Sequence, residues 1–261
     1  MSTAELPHPT IVAILRAAGC VYAEDEADIL LASAGSPTEL RAMLTHRATG
    51  VPLEHVVGWA ELCGVRVTID RGVFVPRRRT SLLARQALSI VLHGDMRPVI
   101  VDLCCGSGAV GAVIVAAQPQ VELHSVDIDA AAVACARRNL VGCDVHLGDL
   151  FEPLPARLRG SVHVVVANAP YVPTRDLRLL PRDVRDHEPT ASLDGGADGL
   201  DVQRQVALGA AEWLAPGGHV LVETSTAQAV GSVSAMVDAG LDAALVTSPD
   251  LDASVVIGRR V

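Results

Sequence analysis

From Pro98 onward, short apolar runs alternate with longer amphipathic segments, and this alternation constrains the fold more than any other feature of the chain. Apolar runs rich in β-branched residues are typical of strands buried on both faces of a parallel sheet. Strands that alternate with helices build a doubly wound α/β fold. Five parallel strands are predicted over residues 99–103, 121–126, 145–147, 162–167 and 219–223, with helices over 109–117, 130–140 and 206–214 and a final antiparallel pair over 243–246 and 254–257.

The chain before Pro98 follows other patterns. Apolar residues at helical spacing, interrupted by glycines, predict a small bundle of helices, one of which begins after Ser36 with Glu39 closing a capping box. Alternating apolar and polar residues around Gly64 predict a β-hairpin. Three units are therefore expected: an N-terminal helical domain over residues 1–57, a hairpin linker over 58–75 and the α/β domain over 76–261.

Composition and charge limit the classes of function. The formal net charge is −9, which disfavours binding to a phosphate backbone. The chain contains no leader-like N-terminus and no run of about 18 uncharged apolar residues, so we expect a cytoplasmic protein with no membrane partner. The six cysteines form no C-x-x-C pair and no histidine lies at zinc spacing, so no metal site is expected.

A glycine-containing loop follows the first predicted strand. Residues 102–108 read Asp-Leu-Cys-Cys-Gly-Ser-Gly, and glycines at this point let a ligand approach the backbone closely. Asp127 ends the next strand, where a carboxylate can accept hydrogen bonds from both hydroxyls of a ribose. The alternative role for Asp127 is to cap the following helix, for which Asp129 is also suitably placed.

Two nucleotide cofactors compete for this loop. Gly106, Gly108 and Gly111 match the G-x-G-x-x-G spacing of an NAD site. Against NAD, two cysteines separate the strand from the first of these glycines. NAD also leaves unexplained the acidic residue before the loop and the polar tetrapeptide after the fourth strand. Both fit S-adenosylmethionine (SAM), whose cationic amino acid end a carboxylate can orient.

That tetrapeptide is Asn168-Ala169-Pro170-Tyr171. Pro170 cannot continue the ladder, so the chain leaves the sheet at the carboxyl edge, where open α/β sheets bind ligands. The Asn168 side-chain oxygen and the Ala169 carbonyl can accept both N–H bonds of a carboxamide and align its nitrogen with a methyl donor. Tyr171 can pack against the planar amide. Asn168 alone is more typical of a strand-end cap, but its surroundings favour a methyl-acceptor site.

Segments in the same order resemble those of the HemK/PrmC-type protein-(glutamine-N5) methyltransferases, class I SAM-dependent enzymes that modify a glutamine of peptide chain release factors. The resemblance covers the chain from about Gly50 to the C-terminus. The entry segment of that family reads Pro-Arg-Pro-Glu-Thr-Glu, its loop Asp-Leu-Gly-x-Gly-Ser-Gly and its signature Asn-Pro-Pro-Tyr. The matching segments here are residues 50–58, Val75-Pro76-Arg77, residues 102–108, Asn168-Ala169-Pro170-Tyr171, Glu188-Pro189 and residues 193–200.

The resemblance implies a Rossmann-like, mostly parallel seven-stranded sheet, with SAM as cofactor. It implies a protein acceptor, a class 1 peptide chain release factor, recognised by the helical N-terminal domain. The acceptor is expected against Asn168, Ala169, Pro170 and Tyr171. The SAM site implied by the resemblance comprises Asp102, Cys104, Cys105, Gly106, Ser107, Gly108, Asp127, Leu150 and Asn168.

The chain departs from the family pattern at three places. Cys104 replaces the first loop glycine, Ala169 replaces a proline, and the entry segment carries Arg78, Arg79 and Ser81 in place of Pro, Glu and Glu. The arginines suit either an anionic contact at a helix start or a solvated turn. Together the departures predict a divergent paralogue.

Two alternatives therefore stay open. One is an N6-adenine nucleic-acid methyltransferase, which applies similar chemistry to a flipped-out amino group, although the acidic net charge counts against it. The other is a SAM-binding paralogue that has lost catalysis.

Overall fold

The computed structural model describes residues 6–93 and 97–261, so the first five residues of the predicted N-terminal domain lie outside it. Four helices come first: α1 (His8–Ala17), α2 (Ala23–Ser33), α3 (Pro37–Ala48) and α4 (Leu53–Val57). They enclose a core of their own that includes the fully buried Ile11, Leu15 and Leu30. The predicted helical bundle is confirmed, while the domain boundaries at 57/58 and 75/76 stay predictions.

The start of α3 differs in one detail from the predicted capping box. Ser36 is the N-cap, as predicted, and its Oγ accepts a hydrogen bond from the Glu39 N–H at 3.2 Å. The predicted return bond to Ser36 is wrong, because the Glu39 carboxylate accepts instead from the Gly35 N–H at 2.8 Å. Ser36 is extended (φ −158°, ψ 157°), and the chain before it brings the earlier N–H to the carboxylate.

The predicted hairpin is confirmed as an antiparallel pair, β1 (Trp59–Leu62) and β2 (Val65–Thr68). Its two turn residues, Cys63 and Gly64, have φ of 51° and 81°. Positive φ at both central residues gives the type I′ turn that suits the twist of a two-residue hairpin.

The main sheet has seven strands: β3 (Val99–Leu103), β4 (Glu122–Asp127), β5 (Asp144–Leu147), β6 (Val162–Ala167), β7 (Leu214–Thr224), β8 (Asp242–Ser248) and β9 (Ala253–Arg259). Their order is β5-β4-β3-β6-β7-β9-β8. The pairs from β5 to β7 are parallel, and β9 runs antiparallel to both β7 and β8. The predicted doubly wound sheet with a final antiparallel pair is therefore confirmed. The order reverses beside β3, so the carboxyl ends of β3, β4 and β6 meet at one edge.

Helices cover both faces of this sheet. Along β3, Ile100 belongs to one buried cluster and Val101 to the other, and Val164 and Val165 divide in the same way along β6. This double coverage explains why the strands read as continuous apolar runs. The helices are α5 (Ser81–His93), α6 (Ala109–Ala117), α7 (Ala130–Asn139), α8 (Arg182–His187), α9 (Asp201–Trp213) and α10 (Ala229–Asp238). None of the helices in the described part of the chain has the length and apolarity needed to cross a membrane.

Two element boundaries differ from the sequence prediction. Residues 215–218, predicted as a turn, belong to β7, which pairs with β6 through an irregular register. Gly218 allows this, because a Cβ there would lie 2.9 Å from the Val162 carbonyl oxygen. Helix α9 begins at Asp201 rather than at residue 206. Its first turn includes the polar Gln203, which is 1% exposed, so hydropathy gave no signal of burial there.

Candidate active site

A cavity of about 480 Å³ opens at the carboxyl ends of β3, β4 and β6. Its volume lies within the range of small-molecule and cofactor sites. Six of the predicted site residues line it: Cys104, Gly106, Asp127, Leu150, Asn168 and Pro170. A second, much smaller pocket of about 30 Å³ adjoins it, lined by Asp102, Cys105 and Ser107 among others. Asn168, Cys104 and Gly106 line both, so the two pockets meet at these residues.

The glycine loop is held open by unusual backbone conformations. Cys104 has φ of 53° and Gly106 has φ of 55°, both in the left-handed region. That region costs an ordinary residue about 1–2 kcal/mol, which explains why glycine suits the Cys104 position. Cys104 thus adopts a left-handed conformation that favours glycine, and burial raises the pKa of its thiol.

Gly108 lies against helix α7, and its predicted contact with SAM stays a prediction. It has φ of 77°, and a Cβ added to it would lie 2.7 Å from Leu140 Cδ1 and 3.3 Å from Ala136 Cβ. Gly108 is also the residue that precedes α6. Its contribution in the described structure is therefore to let α6 and the loop approach α7 closely.

We expect Gly108→Ala to lower the free energy of unfolding by about 2–5 kcal/mol, the sum of left-handed strain and overpacking. Urea denaturation would measure the change. Gly142→Ala is the matched control, because Gly142 has φ of 85° with no atom within 4 Å of its added Cβ. The control should lose only the strain of about 1–2 kcal/mol. Equal losses in the two variants would contradict the packing role.

Asp127 lies at the end of β4 and ties the loop to the cavity. Its Oδ2 accepts from the Gly106 N–H at 2.8 Å and its Oδ1 from the Asp129 N–H at 2.9 Å. Asp129, not Asp127, is the N-cap of α7, accepting from the Ala131 N–H at 2.8 Å. Asp127 is thus left to face the cavity, and burial raises the pKa of its carboxyl.

Asp102 is more deeply buried than its predicted role suggests. It is 2% exposed, and its Oδ2 accepts from the Gly111 N–H at 3.0 Å. Burial raises the pKa of this carboxyl from 3.8 to about 7, against the hydrogen bond from Gly111 that lowers it. Asp102 therefore anchors the start of α6 and reaches only the smaller pocket.

The four residues of the tetrapeptide face different surroundings. Asn168 and Pro170 line the cavity, whereas Ala169 is 1% exposed and packed beneath them. The Asn168 Nδ2 donates to the Thr80 Oγ1 at 3.4 Å. The side chain of Tyr171 is directed elsewhere, because its hydroxyl donates to the Glu223 Oε1 at 3.5 Å. Burial raises the pKa of Tyr171 to about 12.

The entry segment is anchored to buried carboxylates. Arg77 pairs with Glu188, and the Arg79 Nε lies 3.3 Å from the Glu223 Oε1. The Arg79 guanidinium also lies 5.6 Å from the centroid of the Tyr171 ring. Arg77 and Arg79 thus pair with carboxylates of the protein itself, an arrangement that neither a contact with a bound anion nor a solvated turn describes.

Sequence reasoning missed part of the cavity wall. Phe74, Ser192, Asp194 and Val202 line it without having been predicted. A signal was present in the double glycine of residues 193–200. A Cβ on Gly195 would lie 2.7 Å from the Pro170 carbonyl oxygen, so only glycine lets this segment pack on the tetrapeptide.

The residues around the cavity fit SAM. Ile128 and Leu150 offer apolar surface beside the Asp127 carboxylate, which combines a wall for an adenine with an acceptor for ribose hydroxyls. The loop that bears Cys104 and Gly106 lies on the side towards Asn168, where the methionine end of SAM would be held. Among the described residues no group of three or more His, Cys, Asp or Glu side chains could hold a metal ion.

Comparisons with known proteins agree with this geometry. Residues 65–179 match the family model described as the methyltransferase small domain. The release factor glutamine methyltransferase of Geobacter sulfurreducens is 36% identical over 201 residues, covering 74% of this chain and 69% of the relative. The 4-amino-L-phenylalanine/4-methylamino-L-phenylalanine methyltransferase of Streptomyces pristinaespiralis is 34% identical over 229 residues, covering 85% of this chain and 77% of the relative. A crystal structure of a methyltransferase from Pyrococcus furiosus has a TM-score of 0.55 at 15% identity, covering 83% of this chain and 98% of that one.

The fold and the cavity define a class I SAM-dependent methyltransferase. Within that class, the chain belongs to the family of release factor glutamine methyltransferases. SAM, rather than NAD, is therefore the cofactor.

Proposed function

We propose that this enzyme transfers the methyl group of SAM to the side-chain nitrogen of a glutamine in a class 1 peptide chain release factor. One observation carries the proposal. Asn168 lines the large cavity that fits SAM and also the small pocket beside the glycine loop, so its amide lies where a methyl acceptor would meet the cofactor. Names of relatives support the acceptor, since several similar proteins are release factor glutamine methyltransferases.

The reaction requires alignment of the acceptor nitrogen with the methyl donor rather than a strong general base. SAM supplies a methyl group on a sulfonium sulfur, so the group that departs is already a good leaving group. A carboxamide nitrogen is a poor nucleophile because its lone pair is delocalised into the carbonyl. The Asn168 Oδ1 and the Ala169 carbonyl can accept its two N–H bonds, draw electron density onto the nitrogen and fix its position. As the new C–N bond forms, the nitrogen gives up one proton to solvent.

Pro170 and Tyr171 shape the site around that contact. Pro170 lines the cavity directly. Tyr171, held by Glu223 and by the overlying Arg79, supports the tetrapeptide at its far end. We assign Tyr171 to the support of the acceptor side rather than to a contact with the amide, since its ring lines neither the large cavity nor the small pocket.

We assign recognition of the acceptor protein to the helical unit over residues 1–57. A groove of about 350 Å³ separates these helices from α8 and is lined by charged side chains that include Glu26, Arg47 and Asp183. Arg77 and Glu188, which also line it, join this groove to the entry segment of the catalytic domain. The proposal places the enzyme with its acceptor in the cytoplasm.

A second acceptor class is favoured by one relative. The Streptomyces pristinaespiralis enzyme is named for a free amino acid with an aromatic amine, and it is similar over 85% of this chain. The test must therefore separate a protein amide from a small arylamine. It must also include the adenine amino group of a nucleic acid, although the net charge of −9 disfavours binding to a phosphate backbone.

The experiment supplies the purified enzyme with methyl-labelled SAM and one of three acceptors: the class 1 release factor of the same genome, 4-amino-L-phenylalanine, or an adenine-containing oligonucleotide. We expect label in the release factor, mapped by peptide mass spectrometry to a glutamine side chain. Label only in the arylamine or the oligonucleotide would replace the proposed acceptor. SAM binding without transfer to any of the three would favour the paralogue that has lost catalysis.

A further inference from the structure

The Asn168 amide can serve the acceptor in only one of its two orientations. An acceptor carboxamide presents N–H donors, so Asn168 must offer its Oδ1 and turn its Nδ2 away. A rotation of 180° about the last side-chain bond exchanges oxygen and nitrogen with almost no change in shape. Packing cannot choose between the two orientations, and hydrogen bonds have to do so.

Thr80 is the partner that Asn168 has in this structure. The Asn168 Nδ2 donates to the Thr80 Oγ1 at 3.4 Å, and Thr80 is 2% exposed. A hydroxyl alone does not fix the amide, because it can accept from Nδ2 or, after rotation, donate to Oδ1. The orientation of Asn168 therefore depends on where the Thr80 hydrogen points.

Glu223 lies on the other side of Thr80 and can only accept when ionised. It is 1% exposed, and its Oε1 accepts from Arg79 and Tyr171. Its buried Oε2 has no hydrogen-bond partner among the described residues. Burial raises the pKa of Glu223, and the polar groups of Thr80 and Arg79 oppose the rise. A buried carboxylate oxygen without a donor is costly. Two contacts bring Thr80 to this carboxylate: the preceding Arg79 reaches Glu223 at 3.3 Å, and Ala167 and Val222, which precede Asn168 and Glu223, are register partners of β6 and β7.

We propose that Glu223 orients Asn168 through Thr80, so that the Asn168 side-chain oxygen faces the methyl acceptor. The Thr80 hydroxyl donates to the Glu223 carboxylate, and its lone pairs are then left to accept from the Asn168 Nδ2. In this series of hydrogen bonds, the donor and the acceptor of each bond are then fixed. Thr80 lines only the small pocket and Glu223 lines neither pocket, so both act on the acceptor through Asn168 and are positioning residues.

Arg79, which replaces an acidic residue of the family pattern, has a role in this arrangement. A neutral Glu223 could donate as well as accept, and the chain of hydrogen bonds would lose its direction. Arg79, 3.3 Å from the carboxylate, favours the ionised form. The inference rests on the proposed function, because it assumes that Asn168 receives the acceptor.

The test compares Thr80→Val, which removes the hydroxyl at nearly constant shape, with Thr80→Ser, which restores it. Thr224→Val is the matched control, because Thr224 is a buried neighbour of Glu223 along β7 whose hydroxyl bonds to Ser232 at 2.7 Å. We expect Thr80→Val to lower kcat/KM for the release factor about tenfold, the value of one hydrogen bond, with an unchanged Kd for SAM. Thr80→Ser and Thr224→Val should remain within about threefold of the wild type.

A second readout does not require turnover. The Asn168 side-chain NH₂ signals in a ¹⁵N NMR spectrum, assigned with Asn168→Ala, should shift in Thr80→Val and stay in place in Thr224→Val. The inference is overturned if Thr80→Val keeps the wild-type kcat/KM or leaves these signals unmoved. If the wild type methylates no acceptor, the proposed function fails, whereas the NMR comparison still decides whether Thr80 orients the amide.

Discussion

Asn168→Ala is expected to lower kcat for methylation of the release factor by about 10²–10³-fold. Removing one preorganised polar contact to the reacting group typically has an effect of this size. The physical reason is that alanine keeps the backbone of β6 and the Ala169 carbonyl but loses the side-chain oxygen that draws on the acceptor N–H. Single-turnover methylation with labelled SAM would measure the rate of the chemical step directly.

Binding of SAM provides the necessary comparison. Asn168 is one of many residues around the cavity, and Asp127, Leu150 and the glycine loop are unchanged in the variant. The Kd for SAM, measured by calorimetry, should therefore change by less than about fivefold, since a single neutral hydrogen bond contributes about 1 kcal/mol. Asn168→Asp keeps one acceptor oxygen and should retain more activity than Asn168→Ala. A fully active Asn168→Ala would remove the basis of the proposed acceptor site.

Local patterns were enough to predict the framework of this protein. The run of valines in β6 and the aspartate at the end of β4 are signals that a parallel strand carries within itself. The hairpin turn at Cys63 and Gly64 is also encoded in adjacent residues. Periodicity and turn chemistry act over a few residues, so the sheet, the helices α6, α7 and α9 and the cavity edge could be derived from the chain alone. Helices α8 and α10 were not predicted.

The contacts that organise the site could not be derived in this way. Arg79 and Glu223 are 144 residues apart, and Asn168 lies 88 residues from Thr80. Their juxtaposition depends on the order of β3, β6 and β7 and on the path of the entry segment, which no local pattern specifies. The structure places Asn168 at the cavity, as its strand-end position indicated, but no local pattern identifies the groups that hold it.

The residues that were predicted to form one cofactor loop face different surroundings in the structure. Spacing placed Asp102 to Gly108 together as one ligand-binding loop, but the structure directs only Cys104 and Gly106 of this loop to the large cavity. Gly108 packs on α7 and Asp102 binds the Gly111 N–H. Sequence spacing gives the position of a residue along the loop, whereas the direction of each side chain follows from backbone angles such as the φ of 53° at Cys104.

Asp102 yields the second large prediction, a pH-dependent difference in stability. Its pKa is about 7 in the folded chain against 3.8 for an unperturbed carboxyl, because burial disfavours the charge. The folded state thus holds this proton more tightly than the unfolded state. The stabilisation is complete below pH 3.8, declines as the pH rises and is lost once the pH has passed about 7. Asp102→Asn keeps the oxygen that accepts from the Gly111 N–H but cannot ionise.

Urea denaturation at pH 5 and pH 8 would reveal this linkage. Between these values the wild type should lose roughly 2–3 kcal/mol of unfolding free energy relative to Asp102→Asn, at 1.36 kcal/mol for each pKa unit. Asp198→Asn is the control, since Arg204 lowers the pKa of that carboxyl to about 2 and its linkage lies below this pH range. The control should differ from the wild type by the same amount at both pH values. A constant difference for Asp102→Asn as well would contradict the raised pKa.

The same variant separates two roles for Asp102. If the carboxylate orients the cationic end of SAM, its replacement by a neutral amide should weaken SAM binding at pH 8 by at least about tenfold, because a hydrogen bond to a charged group contributes about 1.5–3 kcal/mol. If Asp102 only anchors α6 through Gly111, the Kd for SAM should stay within about threefold, since asparagine preserves that bond. Calorimetric titration with SAM therefore decides whether the acidic residue before the loop acts on the cofactor or on the fold.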